Sequence, residues 1–156
     1  RSGRVTGVQT CALPISKEMI ALVHEKGKEA VFHRAFDCVA QQENAVETLI
    51  SLGADRILTS GGAPDVWTGR KQLQWLQSQY GKEITFLAGS GVNAENVKDL
   101  MEYTKVEQVH TSCRKWNVDG TTSYQNVDFS YDAEKKDAYE MVDPQKVEKM
   151  VKVLTL

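Results

Sequence analysis

Four short stretches gather the side chains of this chain that could do chemistry. His33-Arg34-Ala35-Phe36-Asp37 puts an imidazole and a carboxylate four residues apart, the groups that general acid–base work uses near neutral pH. Ser60-Gly61-Gly62 and Gly89-Ser90-Gly91 bring glycines, whose backbone can approach a ligand closely and offer it N–H groups. His110-Thr111-Ser112-Cys113-Arg114 adds a second imidazole, a hydroxyl, a thiol and a cation. The catalytic candidates are therefore His33, Asp37 and His110. The anion-binding candidates are Ser60, Gly61, Gly89, Ser90, Gly91, Ser112 and Arg114, with Lys115 adding positive charge. Each has a plainer reading beside the functional one. His33 and Asp37 either handle protons or a polar ligand, or join a structural salt-bridge network, since charged groups at a buried strand end need partners in both cases. The glycine loops are either anion cradles or tight strand-to-helix turns. His110 is either an acid–base or metal group, or a hydrogen-bonded core residue.

The elements that must position these groups follow from hydrophobic spacing. Ser16 reads as the cap of a helix with Met19, Ile20, Leu22 and Val23 at helical spacing, ended by Gly27. His24 lies in that helix and reads as solvated. Ala30-Val31-Phe32 is a short buried strand that ends in HRAFD. A helix then turns Ala45, Val46, Leu49, Ile50 and Leu52 inward, with Gly53 as its C-cap. Arg56 to Thr59 is a strand that meets Ser60-Gly61-Gly62, and a helix spans about Val66 to Tyr80. The pivotal stretch is EITFLAGSGVNAENV, a buried strand from Ile84 to Leu87, a glycine turn, and a helix predicted to start at Asn93. Val106 to His110 is a fourth strand. Arg114 to Asp132 is polar and irregular, YDAEKKDAYE is a charged solvated stretch, and a last helix starts at Asp143-Pro144 with proline in its first position. Strand starts near residues 30, 56, 84 and 107 recur at a nearly even interval, each strand followed by a helix. Short apolar strands alternating with amphipathic helices predict an α/β fold with a parallel sheet. In such folds functional groups collect at the C-terminal strand ends, where HRAFD, TSGG, GSG and HTS all fall.

Composition bounds the remaining possibilities. The chain has 156 residues, 41% hydrophobic and 26% charged, with net charge −2, which fits an ordinary globular domain. The near-neutral balance argues against a nucleic-acid partner. No apolar run approaches the roughly 18 residues of a membrane span, so no membrane partner is expected. Cys11, Cys38 and Cys113 are too few and scattered for a disulfide framework, and a cytoplasmic setting is the expectation. Trp67, Trp75 and Trp116 read as packing residues, and Trp116 could cover a pocket at the rim. Residues 1–15, RSGRVTGVQTCALPI, have no initiator Met and no acidic residue. They resemble a translated sequencing-adapter tract and read as a non-native tail, so the organisation expected is a tail over 1–15 and one domain over 16–156.

VFHRAFD, ADRILTSGG, FLAGSGVNAENV and VEQVHTSCRKW, in this order and spacing, resemble the second half of the CutC family of copper homeostasis proteins. SYQNVDFS, and Asp143 followed by Lys146 and Val147, fit the same pattern, so the resemblance covers about Ser16 to Leu156. It implies a (β/α)8 barrel of which this chain holds the last four βα units and a C-terminal helix, a partial TIM barrel of about half the ~250 residues typical of the fold. Four units cannot close the ring. The expectation is a fragment with two open strand edges, marginal alone, that aggregates, stays partly molten or forms a homo-oligomer through those edges. By the same analogy Gly89–Gly91 and Ser112–Arg114 follow strands seven and eight, where such barrels often bind phosphate. Copper is the metal the resemblance implies. Cu(I) favours thiolate and then imidazole, which makes Cys38, Cys113 and His110 the candidate ligands. No C-x-x-C element is present, and Cys38 and Cys113 would follow non-adjacent strands, so they are not expected to share one ion. Two function classes stand: a cytoplasmic protein that binds or traffics copper, and a barrel enzyme acting on a small anionic or phosphorylated substrate through His33, Asp37 and His110.

Overall fold

Four parallel strands form the sheet that the spacing predicts. The structure is a computed structural model that describes the backbone of residues 6–155 and the side chains of residues 15–155. The strands are β1 (Val31–Phe32), β2 (Arg56–Thr59), β3 (Thr85–Ala88) and β4 (Gln108–Val109), in the order β1-β2-β3-β4. Val31 pairs with Arg56, Arg56 with Thr85, Leu58 with Leu87, and Leu87 with Gln108. Helices α1 (Thr6–Glu25), α2 (Gln42–Leu52), α3 (Val66–Tyr80) and α4 (Val97–Thr104) alternate with them, and α5 (Pro144–Thr155) closes the described chain. Each link between parallel strands carries a helix, the right arrangement for βα units. The partial (β/α)8 barrel is therefore the fold observed.

Strand alternation decides where the core lies. On β2 and β3, Ile57, Thr59, Phe86 and Ala88 point to one face and are fully or almost fully buried. Val46, Leu49, Leu73, Leu76 and Leu100 from the helices are buried as well. The opposite sheet face carries Arg56, Leu58, Thr85 and Leu87, and all four are only half-buried. Gly53 caps α2 with a φ of 85°, as the sequence leads one to expect for a left-handed C-cap. Asp143 accepts from Gln145 N–H at 3.0 Å ahead of Pro144, so the last helix starts where its proline predicts.

Several boundaries differ from the sequence reading. The first helix does not start at Ser16: its backbone is helical from Thr6, and residues 1–5 of the expected tail lie outside the described residues. Helix α4 starts at Val97 and not at Asn93. Asn93 still caps, because its side chain accepts from the N–H groups of Glu95 and Asn96, at 2.9 and 3.1 Å, and thereby organises a turn ahead of the helix. His24 is not simply solvated; its Nε2 lies 2.8 Å from Asp55 Oδ2.

Contacts divide the described chain into two compact units. Of the described residues, the first holds those up to 92 and 99–110, and the second 93–98 and those from 111 onward. The second unit overturns the irregular reading of 114–132, while 131–140 is largely exposed, as expected, with Ala138 its one buried residue. β5 (Arg114–Val118) pairs antiparallel with β8 (Ala138–Val142), and a small hairpin joins β6 (Ser123–Tyr124) to β7 (Val127–Asp128). These strands are polar because one face is wet; the period-2 signal is carried by few residues and charged ones interrupt it. Trp116 packs on Tyr131 at 5.3 Å between ring centres, a packing role. On α5, Met150 is buried while Val147, Val151 and Leu154 stay exposed.

Candidate functional site: the strand-end rim

The loops after β1 and β2 meet around one carboxylate. After β1 the chain makes a 3-10 turn over Arg34–Cys38, which folds Asp37 back over the end of β2. The Asp37 side chain is 6% exposed. Its Oδ1 accepts from Thr59 Oγ1 at 2.5 Å and from Gly62 N–H at 3.0 Å. Ser60 N–H lies 3.1 Å from both carboxylate oxygens, and Arg34 Nε donates to Oδ2 at 2.8 Å. The Ser60 hydroxyl has one proton, shared between Asp37 Oδ2 at 2.9 Å and the Ala63 carbonyl at 2.5 Å, while it accepts from Arg34 Nη2 at 2.7 Å. Burial on its own pushes the Asp37 carboxyl up, but the Thr59 hydroxyl, the Gly62 and Ser60 N–H groups and the Arg34 guanidinium outweigh it and hold it below the ordinary aspartate value. The TSGG loop is thus an anion nest whose anion is the chain's own Asp37. A carboxylate held this way is a fixed negative charge that keeps the rim loops together.

Two glycines make this loop possible. A Cβ on Gly61 would stand 2.2 Å from Gly69 O, and one on Gly69 would stand 1.9 Å from Ser60 O. Helix α3 therefore lies directly on the loop, and Gly61 also has a φ of 75°. Sequence reasoning missed Gly69; a glycine inside an otherwise good helix, where it costs about 1 kcal/mol against alanine, is the signal that could have found it. It also missed Thr59 as a donor and Asp65, which caps α3 by accepting from Thr68 N–H at 2.9 Å.

The other predicted residues fall into separate environments. His33 is exposed; its Nδ1 accepts from Ala35 N–H at 3.0 Å, so a neutral ring carries its proton on Nε2. His110 is exposed too, and its backbone N–H continues the ladder to Ala88 O at 2.7 Å. Gly89 packs against Leu58, since a Cβ there would come within 2.6 Å of Leu58 Cδ1. Ser90 has a φ of 77°; its Oγ donates to Pro64 O at 3.0 Å and its carbonyl accepts from Val66 N–H at 2.9 Å. Gly91 has a φ of 80°. An open pocket of about 570 Å³ lies beside Asp37 and Gly62, lined further by Gln41, Gln42, Glu43, Asn44 and Gln72. It holds two carboxylates and no cation, so an external anion is not favoured in it. Ser112, Cys113 and Arg114 belong to the second unit. Ser112 is exposed, the Cys113 thiol lies 3.7 Å from Thr111 Oγ1, and Arg114 is paired with Glu140 at 2.7 Å. Cys38 is exposed in the first unit. Among the described residues no group of three or more His, Cys, Asp or Glu side chains could hold a metal ion. No described helix is long and apolar enough to cross a membrane.

A parallel sheet with its polar loops gathered at the C-terminal strand ends defines a partial (β/α) barrel with a rim organised by Asp37. The native KDPGal structure shares this fold at a TM-score of 0.53, with 16% identity over 89% of this chain and 54% of that one. The chain belongs to the CutC family, whose model matches residues 2–115. A family protein CutC of Glaesserella parasuis is 38% identical over 134 residues, 84% of this chain and 54% of that protein. One from Vibrio cholerae serotype O1 is 41% identical over 99 residues, 64% of this chain and 39% of that protein. The chain thus spans about half the length of the curated relatives it matches, or less. The crystal structure of CutC from Streptococcus agalactiae, described as a copper homeostasis protein, is 30% identical at a TM-score of 0.53 and covers 60% of this chain and 48% of that one.

Proposed function

We propose that the chain serves copper homeostasis in the cytoplasm, as part of a barrel whose strand-end rim meets the ion as cargo. The observation that carries this reading is the family match over residues 2–115, supported by the likeness to the Streptococcus agalactiae protein. The exposed Cys38 thiol is the group on the first unit best suited to Cu(I), which prefers soft sulfur ligands. Cys113 and His110 are the further candidates. With no preformed cluster among the described residues, the reading is capture by one or two side chains and onward transfer. Titration with Cu(I) under reducing conditions, against a chromophoric chelator, tests it. One ion withheld per chain, and released by Cys38→Ser, supports the reading; an absence of competition removes direct copper binding from it.

A second reading, a barrel enzyme acting on a small anionic or phosphorylated substrate, is favoured by one observation. The rim carries a second glycine turn, Gly89–Gly91, with Gly91 at a φ of 80°, apart from the TSGG nest that Asp37 fills. In this reading His33 and His110 act as acid–base groups and Gly89–Gly91 receives the anion, all within the first unit. Inorganic phosphate followed by amide NMR is the test. Millimolar phosphate that moves Gly89–Gly91 and His110 together supports it, and an unchanged spectrum overturns it.

A further inference from the structure

The pocket beside Asp37 has a wall chemistry that neither reading of the rim uses. Its lining comes from residues 37–44 and 61–72, that is, from the link between β1 and α2 and from the link between β2 and the middle of α3, all in the first unit. Two consecutive βα links thus form its walls without help from the edges of the sheet. Primary amides dominate them: Gln41, Gln42, Asn44 and Gln72. Asn44 Nδ2 donates to Gln41 Oε1 at 2.5 Å, which leaves the Gln41 NH2 as a donor and Asn44 Oδ1 as an acceptor. Gln42 and Gln72 are half-buried on two successive helices, and among the described residues their side chains make no hydrogen bond. Gly62 seats the first of them, since a Cβ there would stand 2.7 Å from Gln42 Nε2.

We propose that this pocket binds a small neutral polyol, a molecule the size of a sugar ring that carries neighbouring hydroxyls. Each hydroxyl both donates and accepts, and each amide offers a donor and an acceptor side by side, so adjacent hydroxyls and an amide satisfy one another in pairs. Charge disfavours the alternatives. The Asp37 carboxylate is already met by Thr59, Ser60, Gly62 and Arg34, so it needs no outside cation. Glu43 sits in the first turn of α2, where the positive end of the helix dipole offsets its charge. With no cation in the lining, an anion finds no partner there. Val39 and Ala40 supply apolar contact for the C–H groups of a ring. The volume of about 570 Å³ falls within the range of small-molecule sites. Neither the copper reading nor the anionic-substrate reading uses Gln42 or Gln72, so the proposal stands apart from both.

Saturation-transfer NMR of the full chain with glucose, and separately with myo-inositol, tests it; the bound polyol is read directly, whatever the size of the particle. Saturable transfer in the millimolar range is expected from at least one of the two. Gln72→Ala should weaken binding roughly fivefold, the loss of about one neutral hydrogen bond, with an unchanged far-ultraviolet circular dichroism spectrum. Asn44→Ala, at an exposed position, decides the matter should Gln72→Ala not fold. Gln79→Ala, near the far end of α3, should change nothing. Glucose 6-phosphate and the diamine putrescine should each bind more weakly than the polyol. No saturable transfer from either polyol, binding indifferent to both pocket substitutions, or tighter binding of the phosphate or the diamine overturns the proposal.

Discussion

Replacing Asp37 by Asn removes the charge at the centre of the rim while keeping its shape. The carboxylate has four donors of its own, Thr59 Oγ1, Ser60 N, Gly62 N and Arg34 Nε, and a share of the Ser60 hydroxyl. Thr59 and Ser60 are fully buried, so donors left without an acceptor there cannot turn to water. One amide oxygen can still serve Thr59 and Gly62, but the amide NH2 then confronts the donors on the Oδ2 side. Hydrogen bonds to a charged group contribute about 1.5–3 kcal/mol each, less when shared, and losing one partner of a buried pair costs about 3–5 kcal/mol. Arg34 is 39% exposed, so water screens its part and its contribution is discounted. The expected loss is about 2–4 kcal/mol for Asp37→Asn. Urea unfolding at fixed chain concentration measures it. A double-mutant cycle with Thr59→Val should return a coupling of about 1–2 kcal/mol. A loss under about 0.5 kcal/mol, or no coupling, would refute the claim that this carboxylate holds the rim together.

Acid should weaken the fold through the same group and through Asp55. Hydrogen bonding by His24, ahead of the Ala30 N–H, holds the Asp55 carboxyl below its ordinary value. Both folded values lie below the unfolded one, so their stabilisation is fully present above about pH 4 and is lost as pH falls through the folded values. Melting temperature against pH should therefore drop below about pH 4, and less steeply in Asp37→Asn; an identical acid limb in the variant counts against it. Gly69→Ala, whose methyl would be driven into the Ser60 carbonyl, should cost about 1–3 kcal/mol or more. Gly120→Ala, with open space around it, should stay within about 0.5 kcal/mol, and equal melting temperatures for the two would contradict the close packing of α3 on the loop.

The sequence by itself determined what local spacing can carry. The four βα units, the Gly53 cap and the Pro144 start were legible because apolar periodicity and turn chemistry act within a few residues. The family was legible from HRAFD, TSGG, GSG and HTS in their order. Only the tertiary structure decided what those loops do with one another. That Asp37 occupies the TSGG nest depends on a 3-10 turn carrying it across to the next strand end, 22 residues from Thr59 in sequence. The same holds for Gly61 against Gly69 and for His24 against Asp55, contacts between elements whose partners no local pattern names. The β5–β8 pair escaped because its ladder joins segments a long loop apart, and its strands bury too little to show a period. Local propensity selects the elements; which carboxylate fills which nest is set by the packing that brings distant strand ends together.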